Sequence, residues 1–206
     1  DVTHVIVSPG INDNNDLLKI FRKNNIPILS DIDLYVENTS KRFVAITGTN
    51  GKSTVTTMLG HVFARNGLNC KYGGNLGVPA LDLISSDVDV YILELSSFQL
   101  ERAVSQTYEA ATILNITEDH LDHHLNMDAY IRSKHKIFSK AKVSIFNRDD
   151  KNTFPTHQRT MASFGSRISK KPCPSWHQGN GRSCRNCPPR PQSPLTWVGL
   201  LGLRRP

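Results

Sequence analysis

A run of small residues with one lysine is the clearest chemical signal in this chain. Residues 47–54 read Thr-Gly-Thr-Asn-Gly-Lys-Ser-Thr and directly follow an apolar run at 43–46. Backbone N–H groups in such a loop can turn toward an anion, and a helix that begins there adds partial positive charge. In this pattern Lys52 would contact the outer phosphates, and the Ser53 hydroxyl would bind Mg²⁺. The loop therefore predicts a site for a nucleotide triphosphate, formed by Gly48, Thr49, Asn50, Gly51, Lys52, Ser53 and Thr54.

The match to the usual phosphate-binding loop is incomplete, and an alternative stays open. That pattern has a further glycine five residues before Gly51, where this chain has Ile46. Glycines also recur in ordinary strand-to-helix turns, because they adopt backbone angles that other residues avoid. The rest of the chain must decide between the two interpretations.

Polar side chains also follow two other apolar runs. Glu94 ends the run at 88–95, where a carboxylate has no packing role, so it either caps the next turn or holds Mg²⁺. Residues 115–120 follow the run at 111–115. Ligands in parallel α/β sheets bind beyond the carboxyl ends of the strands, so these positions should converge on the Gly-rich loop.

Histidines and lysines further along the chain are more ambiguous. His120 is the better candidate metal ligand because it lies nearest a strand end. His123 and His124 could equally be ligands or exposed residues of a solvated loop. On spacing alone, Lys134 and Lys136 fit a solvated face of a lysine-rich helix.

The elements that must position these residues alternate between strand and helix. Hydrophobic periodicity predicts strands at 4–7, 27–29, 43–47, 69–72, 88–95, 111–115 and 142–146, and helices at 15–24, 53–65, 79–84 and 127–139. Such alternation predicts an α/β fold of the phosphate-loop type, a mainly parallel sheet with helices on both faces. The polar stretch at 37–42 is a candidate linker.

Charge divides the chain into two unlike parts. The formal net charge is +7, but residues 1–150 hold 15 Lys/Arg and all 18 Asp/Glu, while residues 151–206 hold 10 Lys/Arg and no acidic residue. The basic character therefore belongs to the tail, so we expect no nucleic-acid binding by the folded part. The pair Cys184-x-x-Cys187 could be half of a zinc site, but the chain lacks a second ligand pair at the usual spacing, so the sequence disfavours zinc binding there. With no signal peptide and no long apolar run, we expect a cytoplasmic protein without membrane contact.

Five stretches, in this order, resemble the Mur ligases of bacterial peptidoglycan synthesis. They are residues 8–11 (Ser-Pro-Gly-Ile), 47–54, 73–75 (Gly-Gly-Asn), 94–101 (Glu-Leu-Ser-Ser-Phe-Gln-Leu-Glu) and 115–122 (Asn-Ile-Thr-Glu-Asp-His-Leu-Asp). The resemblance covers roughly residues 2–150, and the Gly-Thr-Asn-Gly-Lys-[Ser/Thr] loop without the first glycine is normal in that superfamily. The stretches at 8–11 and 94–101 favour the branch that adds D-glutamate.

The resemblance implies an ATP-dependent ligase that joins D-glutamate to UDP-N-acetylmuramoyl-L-alanine through an acyl phosphate. It assigns Lys52 to the transferring phosphoryl group, Ser53 and Glu94 to a first Mg²⁺, and His120 with a carbamylated Lys134 to a second. This reverses the expectation of a solvated Lys134. Positions near the substrate are Ser8, Pro9, Gly10, Asn75, Ser96 and Gln99.

The departures from the family define the expected organisation. Residues 1–38 correspond to the end of a Rossmann-like uridine-nucleotide-binding domain, 39–166 to an incomplete central ATP-binding domain, and 167–206 to a basic tail that is disordered or translated out of frame. Because the remaining substrate-binding parts are missing, we expect no measurable ligase turnover. We also expect a monomer. The alternatives are another Mur ligase, a folylpolyglutamate synthase, or a non-catalytic nucleotide-binding module.

Overall fold

The computed structural model describes residues 2–12, 14–75, 77–102, 107–156 and 160–165. The strands are β1 (Val5–Ile6), β2 (Ile28–Leu29), β3 (Arg42–Thr47), β4 (Cys70–Gly74), β5 (Val90–Glu94), β6 (Tyr108–Ile113), β7 (Ala141–Asn147) and β8 (Thr160–Phe164). The α-helices are α1 (Asp16–Lys23), α2 (Asp31–Glu37), α3 (Lys52–Arg65), α4 (Ser97–Arg102), α5 (Leu121–His124) and α6 (Met127–His135). The tail at 167–206, with its cysteines, lies outside the described residues.

The main sheet has six strands in the order β4-β5-β3-β6-β7-β8, and every neighbouring pair is parallel. The chain leaves β3 toward β4 on one side and leaves β6 toward β7 on the other. The loops after these two neighbouring strands therefore diverge and open a crevice at the carboxyl edge of the sheet. The predicted parallel sheet with helices on both faces is confirmed.

Alternation along the strands distributes the core between the two faces. On β3, Phe43 and Ala45 face the cluster that includes α2, α4 and α6, whereas Val44 and Ile46 face α3. The same alternation on β5 sends Val90 and Ile92 toward α3. Glu94 has the parity of these two residues, so its side chain emerges on the α3 face at the end of the strand.

The first elements form a separate small sheet. Strands β1 and β2 pair in parallel, with α1 between them. Helix α2 follows β2 and ends where the predicted linker begins, and it packs into the main core through Ile32 and Tyr35, which are fully buried. Its start is held by a capping box in which the Ser30 side chain bonds the Asp33 N–H and the Asp33 carboxylate accepts from the Ser30 N–H. This part of the chain thus contacts the central sheet directly.

Three α-helices and one strand in the described part of the chain were not predicted from the sequence. These are α2, α4, α5 and β8, and the three helices have only four to seven residues, too few to show helical periodicity. The predicted helix at 79–84 is a 3-10 helix (Ala80–Leu83), and the predicted helix at 127–139 ends at His135 before a 3-10 turn. None of the helices in the described part of the chain combines the length and hydropathy that a bilayer crossing needs.

Candidate active site

The Gly-rich loop joins the end of β3 to the start of α3. Gly51 precedes the helix with φ +79°, a left-handed conformation that glycine adopts without strain, and α3 then runs for 14 residues. A Cβ on Gly48 would lie 3.1 Å from the Leu114 Cβ, so a small residue is needed where the loop passes the end of β6. The Lys52 ammonium donates to the carbonyls of Gly48 and Thr49 at 3.0 and 2.9 Å. The loop is therefore folded around its own lysine.

Ser53 and Glu94 come together as their strand ends predict. The Ser53 hydroxyl donates to a Glu94 carboxylate oxygen at 2.7 Å, and the Asn75 amide reaches the other oxygen at 3.4 Å. Glu94 is only 1% exposed. Both of these hydrogen-bond partners are neutral, so they leave the charge of a buried carboxylate uncompensated. Hard oxygen donors in this arrangement suit Mg²⁺.

The segment after β6 is hydrogen-bonded to the Gly-rich loop. Asn115 accepts from the Asn50 N–H at 2.9 Å and donates to the Asn50 carbonyl at 3.0 Å. The Thr49 hydroxyl accepts from the Thr117 N–H at 3.0 Å and lies 3.2 Å from the Tyr130 hydroxyl. The roles of Tyr130 and Thr117 were missed by sequence reasoning, because neither residue type signals phosphate chemistry by itself.

Lys134 is buried inside the site rather than on a solvated helix face. Its side chain is 2% exposed, its ammonium donates to the Gly48 carbonyl at 3.0 Å, and it lies 4.6 Å from the centroid of the Tyr130 ring. Burial and the nearby charge of Lys52 lower the pKa of Lys134 to about 7, with Asp119 opposing them. A neutral amine is therefore accessible near physiological pH. By contrast, Lys136 is exposed, and its ammonium donates to the Glu101 carbonyl at 2.8 Å.

His120 lies at the rim of this cluster. Its backbone is left-handed (φ +52°), and its ring nitrogen is 3.5 Å from an Asp119 carboxylate oxygen. About half of its side chain is exposed, at 49%. The ring packs near Phe98 and Tyr130, with centroid distances of 5.1 and 6.5 Å. The imidazole is thus near the Lys134 side of the site and open to an incoming ligand.

His124 is not part of a solvated loop. It is 3% exposed, and its two ring nitrogens lie 3.1 Å from a Glu101 carboxylate oxygen and 2.9 Å from the Ser97 hydroxyl. Burial lowers the pKa of His124, with Glu101 opposing this effect. His123 is partly buried and lies 3.4 Å from Glu101. Sequence spacing could not separate these histidines from exposed ones, because α5 is a single turn.

Ser96 and Gln99 hold the turn after β5. The buried Gln99 side chain accepts from the Ser96 N–H at 3.1 Å and donates to Asp31 at 2.8 Å, which ties this turn to α2. The Arg102 guanidinium donates to the carbonyl of Ile11, next to the Ser8–Gly10 turn, so the latter turn lies beside α4.

Comparisons with known proteins place this arrangement in a family. Residues 46–172 match the family model described as the Mur ligase middle domain. UDP-N-acetylmuramoylalanine–D-glutamate ligase of Psychrobacter arcticus is 48% identical over 152 residues, which cover 73% of this chain and 32% of the relative. The ligase of the same name from Vibrio atlanticus is 40% identical over 200 residues, covering 95% and 44%. That alignment runs into the tail, past the point where the resemblance was expected to end.

Solved structures share the fold at low sequence identity. The UDP-N-acetylmuramoyl-L-alanyl-D-glutamate–2,6-diaminopimelate ligase has a TM-score of 0.56 at 19% identity, over 80% of this chain and 46% of that chain. MurF ligase from Thermotoga maritima, determined in complex with ADP, has a TM-score of 0.53 at 16% identity, over 80% and 51%. The chain spans less than half the length of the curated relatives cited above. Since the family model covers more than half of the chain, this protein belongs to the Mur ligase family.

Proposed function

We propose that this chain supplies the ATP-binding part of a ligase that adds D-glutamate to UDP-N-acetylmuramoyl-L-alanine in peptidoglycan precursor synthesis. One observation carries the proposal: ligases that bear this name match at 40–48% identity over stretches covering 73–95% of the chain. In this reaction the substrate carboxylate takes the γ-phosphoryl group of ATP, ADP leaves, and the amine of D-glutamate then displaces phosphate from the acyl phosphate. The domain boundaries at residues 38 and 166 belong to the same proposal.

The Gly-rich loop supports binding of the triphosphate. It lies at the N-terminus of α3, where the first turn of a helix presents free N–H groups to an anion. Lys52 is held by the Gly48 and Thr49 carbonyls, so its ammonium is already placed over the loop before a nucleotide arrives. Phosphoryl transfer needs positioning and charge neutralisation more than covalent help from the protein. Lys52 fits that requirement.

Ser53 and Glu94 would hold the first Mg²⁺. The fit rests on the buried Glu94 carboxylate, which bonds only neutral groups among the contacts described above. When bound, Mg²⁺ would neutralise charge on the phosphate oxygens. Glu94 also accepts an N–H bond from Asn75 at its backbone carbonyl, at 2.9 Å, which fixes Asn75 beside the carboxylate. Asn75 is thereby positioned to contact the substrate or the metal.

Lys134 and His120 are the proposed ligands of the second Mg²⁺. A lysine binds a hard cation only after its amine has been converted to an anionic oxygen donor. The neutral form of Lys134 can attack CO₂ and release a proton, which leaves a carbamate, and the lowered pKa favours that neutral form. Its Nζ already lies 3.0 Å from the Gly48 carbonyl in the loop. His120 offers an accessible imidazole on the same side.

The remaining assignments concern the substrate. Ser96 and Gln99 follow the strand that carries Glu94, and they are bonded to each other. Both would lie near the substrate: the partly exposed Ser96 would contact it, while the buried Gln99 holds the turn. Ser8, Pro9 and Gly10 would face the uridine-diphosphate end. Because ATP and nucleotide sugars are cytoplasmic metabolites, we propose that the reaction takes place in the cytoplasm and that the protein acts as a monomer.

A chimera tests the proposal directly. Residues 2–165 would replace the matching segment of the Psychrobacter arcticus ligase, so that the relative supplies the remainder. We expect ADP release that requires both UDP-N-acetylmuramoyl-L-alanine and D-glutamate, and a loss of about 100-fold or more in the Lys52→Met chimera. L-glutamate, L-alanine and diaminopimelate serve as competing amino acids. A folded chimera that preferred one of these, or that released ADP without an amino acid, would contradict the assignment.

A further inference from the structure

A second cluster of ligand-type side chains lies outside the phosphate site. Glu101 at the end of α4 meets His123 and His124 at the end of α5. The Glu101 carboxylate oxygens lie 3.4 Å from Nε2 of His123 and 3.1 Å from Nδ1 of His124. One ligand atom from each of the three residues lies within 4.8 Å of the others. None of these three side chains is used by the proposed ligase chemistry.

The spacing matches the separation of ligands around a small metal ion. Zinc bonds to nitrogen and oxygen of about 2.1 Å at tetrahedral angles place neighbouring ligand atoms about 3.4 Å apart. The two Glu101 distances lie within about 0.3 Å of that value, and the two imidazole nitrogens, which lie within 4.8 Å of each other, must move closer by up to about 1.4 Å. We propose that Glu101, His123 and His124 form a binding site for a divalent transition metal of the Zn²⁺ class.

The surroundings of His124 support ligation by Nδ1. Its other ring nitrogen, Nε2, lies 2.9 Å from the Ser97 hydroxyl, and metal-bound histidines usually donate their second N–H to such a partner. The Phe98 ring stacks on His124 at an interplanar angle of 9° and meets His123 edge-on at 83°. Packing against Phe98 therefore restricts the orientation of both imidazole planes before a metal binds, which lowers the entropic cost of assembling the ligands.

Access and ligand type narrow the choice of ion. The Glu101 and His123 side chains are 34% and 21% exposed, so solvent reaches the site from one side, while His124 closes the other. Two imidazoles among three ligands suit Zn²⁺ and its neighbours, whereas Mg²⁺ takes mainly oxygen ligands. Three protein ligands leave one tetrahedral position for water.

A hydrolytic Ser97–His124–Glu101 triad is the competing interpretation, and burial argues against it. The order of hydrogen bonds is that of a nucleophile, a base and an orienting carboxylate. However, Ser97 is only 2% exposed, so a substrate carbonyl cannot approach its hydroxyl. The Ser97 hydroxyl serves instead as a support for His124.

Metal binding would fasten α5 to α4. Helix α5 starts directly after His120, while α4 follows Ser96 and contains Gln99. An ion shared by Glu101 and the two histidines would therefore limit the movement of the His120 loop relative to the turn after β5. This inference does not depend on the ligase assignment, because it concerns different side chains.

The test uses the full chain with Cys173, Cys184 and Cys187 changed to serine, because thiolates bind Zn²⁺ tightly and would mask a weaker site. With excess Mg²⁺ present to occupy the two proposed magnesium sites, titration with Co²⁺ should produce the visible d–d absorption of a tetrahedral or five-coordinate ion, and Zn²⁺ should displace it at a stoichiometry of one. We expect His123→Ala and Glu101→Gln to weaken Zn²⁺ binding by about 10-fold or more. His61→Ala removes an exposed histidine outside the cluster and should leave the affinity unchanged.

Two results would overturn the proposal. One is a Zn²⁺ affinity that is equal in the serine background and in His123→Ala, with circular dichroism showing both folded. The other is a Co²⁺ spectrum that remains octahedral, since that would indicate water and surface carboxylates instead of imidazole ligands. His123 is the preferred site for the main variant because it is partly exposed, so its truncation perturbs the core less than that of His124.

Discussion

Replacing the buried Lys134 with methionine should raise the free energy of unfolding at pH 7.5, whereas most substitutions of buried residues lower it. The lysine is 2% exposed, and burial together with Lys52 lowers its pKa from 10.5 to about 7. Between these pH values the unfolded chain holds a proton that the native chain has released. The free energy of unfolding therefore rises with pH across this window, and the methionine variant lacks that dependence.

The size of the effect follows from the pKa difference. At about 1.36 kcal/mol per pH unit, the change from 10.5 to about 7 corresponds to about 5 kcal/mol of destabilisation once the pH is well below 7. At pH 7.5 most of this, about 4 kcal/mol, is already present. Losing the hydrogen bond to the Gly48 carbonyl costs about 2 kcal/mol. We expect Lys134→Met to be more stable by about 2 kcal/mol at pH 7.5 and about equal to the parent at pH 9.

Urea denaturation of both chains at pH 7.5, 8.2 and 9.0 measures this difference. Buffers purged of CO₂ keep the lysine unmodified, and titration of other groups cancels between the two chains. Lys140→Met, on an exposed lysine, should show no such trend. A stability difference between Lys134→Met and the parent that stayed constant over this range would refute the argument that burial controls the Lys134 charge.

Four further predictions follow from the site and the core. Ser53→Ala should weaken Mg²⁺-dependent ATP binding, measured by calorimetry, by about 10-fold, because the proposed first Mg²⁺ site loses the Ser53 hydroxyl that lies 2.7 Å from the Glu94 carboxylate. Gly74→Ala should lower the unfolding free energy by about 2 kcal/mol or more, since a Cβ there would lie 2.3 Å from the Glu94 carbonyl oxygen at φ +121°. Asn115→Ala should cost about 1–3 kcal/mol through the two lost bonds to Asn50. Tyr35→Phe should stabilise by about 1 kcal/mol, because its buried hydroxyl lacks a partner among the described residues.

Matched variants check each physical reason. Thr57→Ala, on an exposed face of α3, should leave ATP binding intact. Gly77 also has a positive φ, of 79°, but no atom lies within 4 Å of a Cβ placed there. Gly77→Ala should therefore lower the unfolding free energy less than Gly74→Ala in the same urea titration. Tyr91→Phe removes a hydroxyl that bonds both backbone groups of Ser85, so it should destabilise where Tyr35→Phe stabilises. The contacts would not explain the stability changes if Gly77→Ala cost more than Gly74→Ala, or if Tyr91→Phe were more stable than Tyr35→Phe. An Asn115→Ala chain as stable as the parent would likewise contradict the predicted role of its two bonds to Asn50.

The sequence predicted those parts of the fold whose signals are local. Strand β3, the loop at 47–54 and helix α3 have clear hydrophobic and glycine patterns, and the structure reproduces them within about one residue. Placement of Glu94 beside Ser53 was also predictable, because parallel strands end at the same edge of the sheet. Helix α2 was missed since its seven residues bury only Ile32, Asp33 and Tyr35, too few to show a period.

The sequence by itself determined the elements and the loop chemistry, because strand and helix periodicity and glycine placement are properties of neighbouring residues. Only the tertiary structure decided which charged groups are buried. Spacing along the chain made Lys134 a surface lysine and gave His124 no preference, yet packing buries both and assigns each a specific partner. The electrostatic environment of a side chain depends on atoms that are distant in sequence: Gly48 lies 86 residues from Lys134, and Glu101 lies 23 residues from His124. Their protonation and ligand chemistry therefore arise only when the sheet brings these segments together.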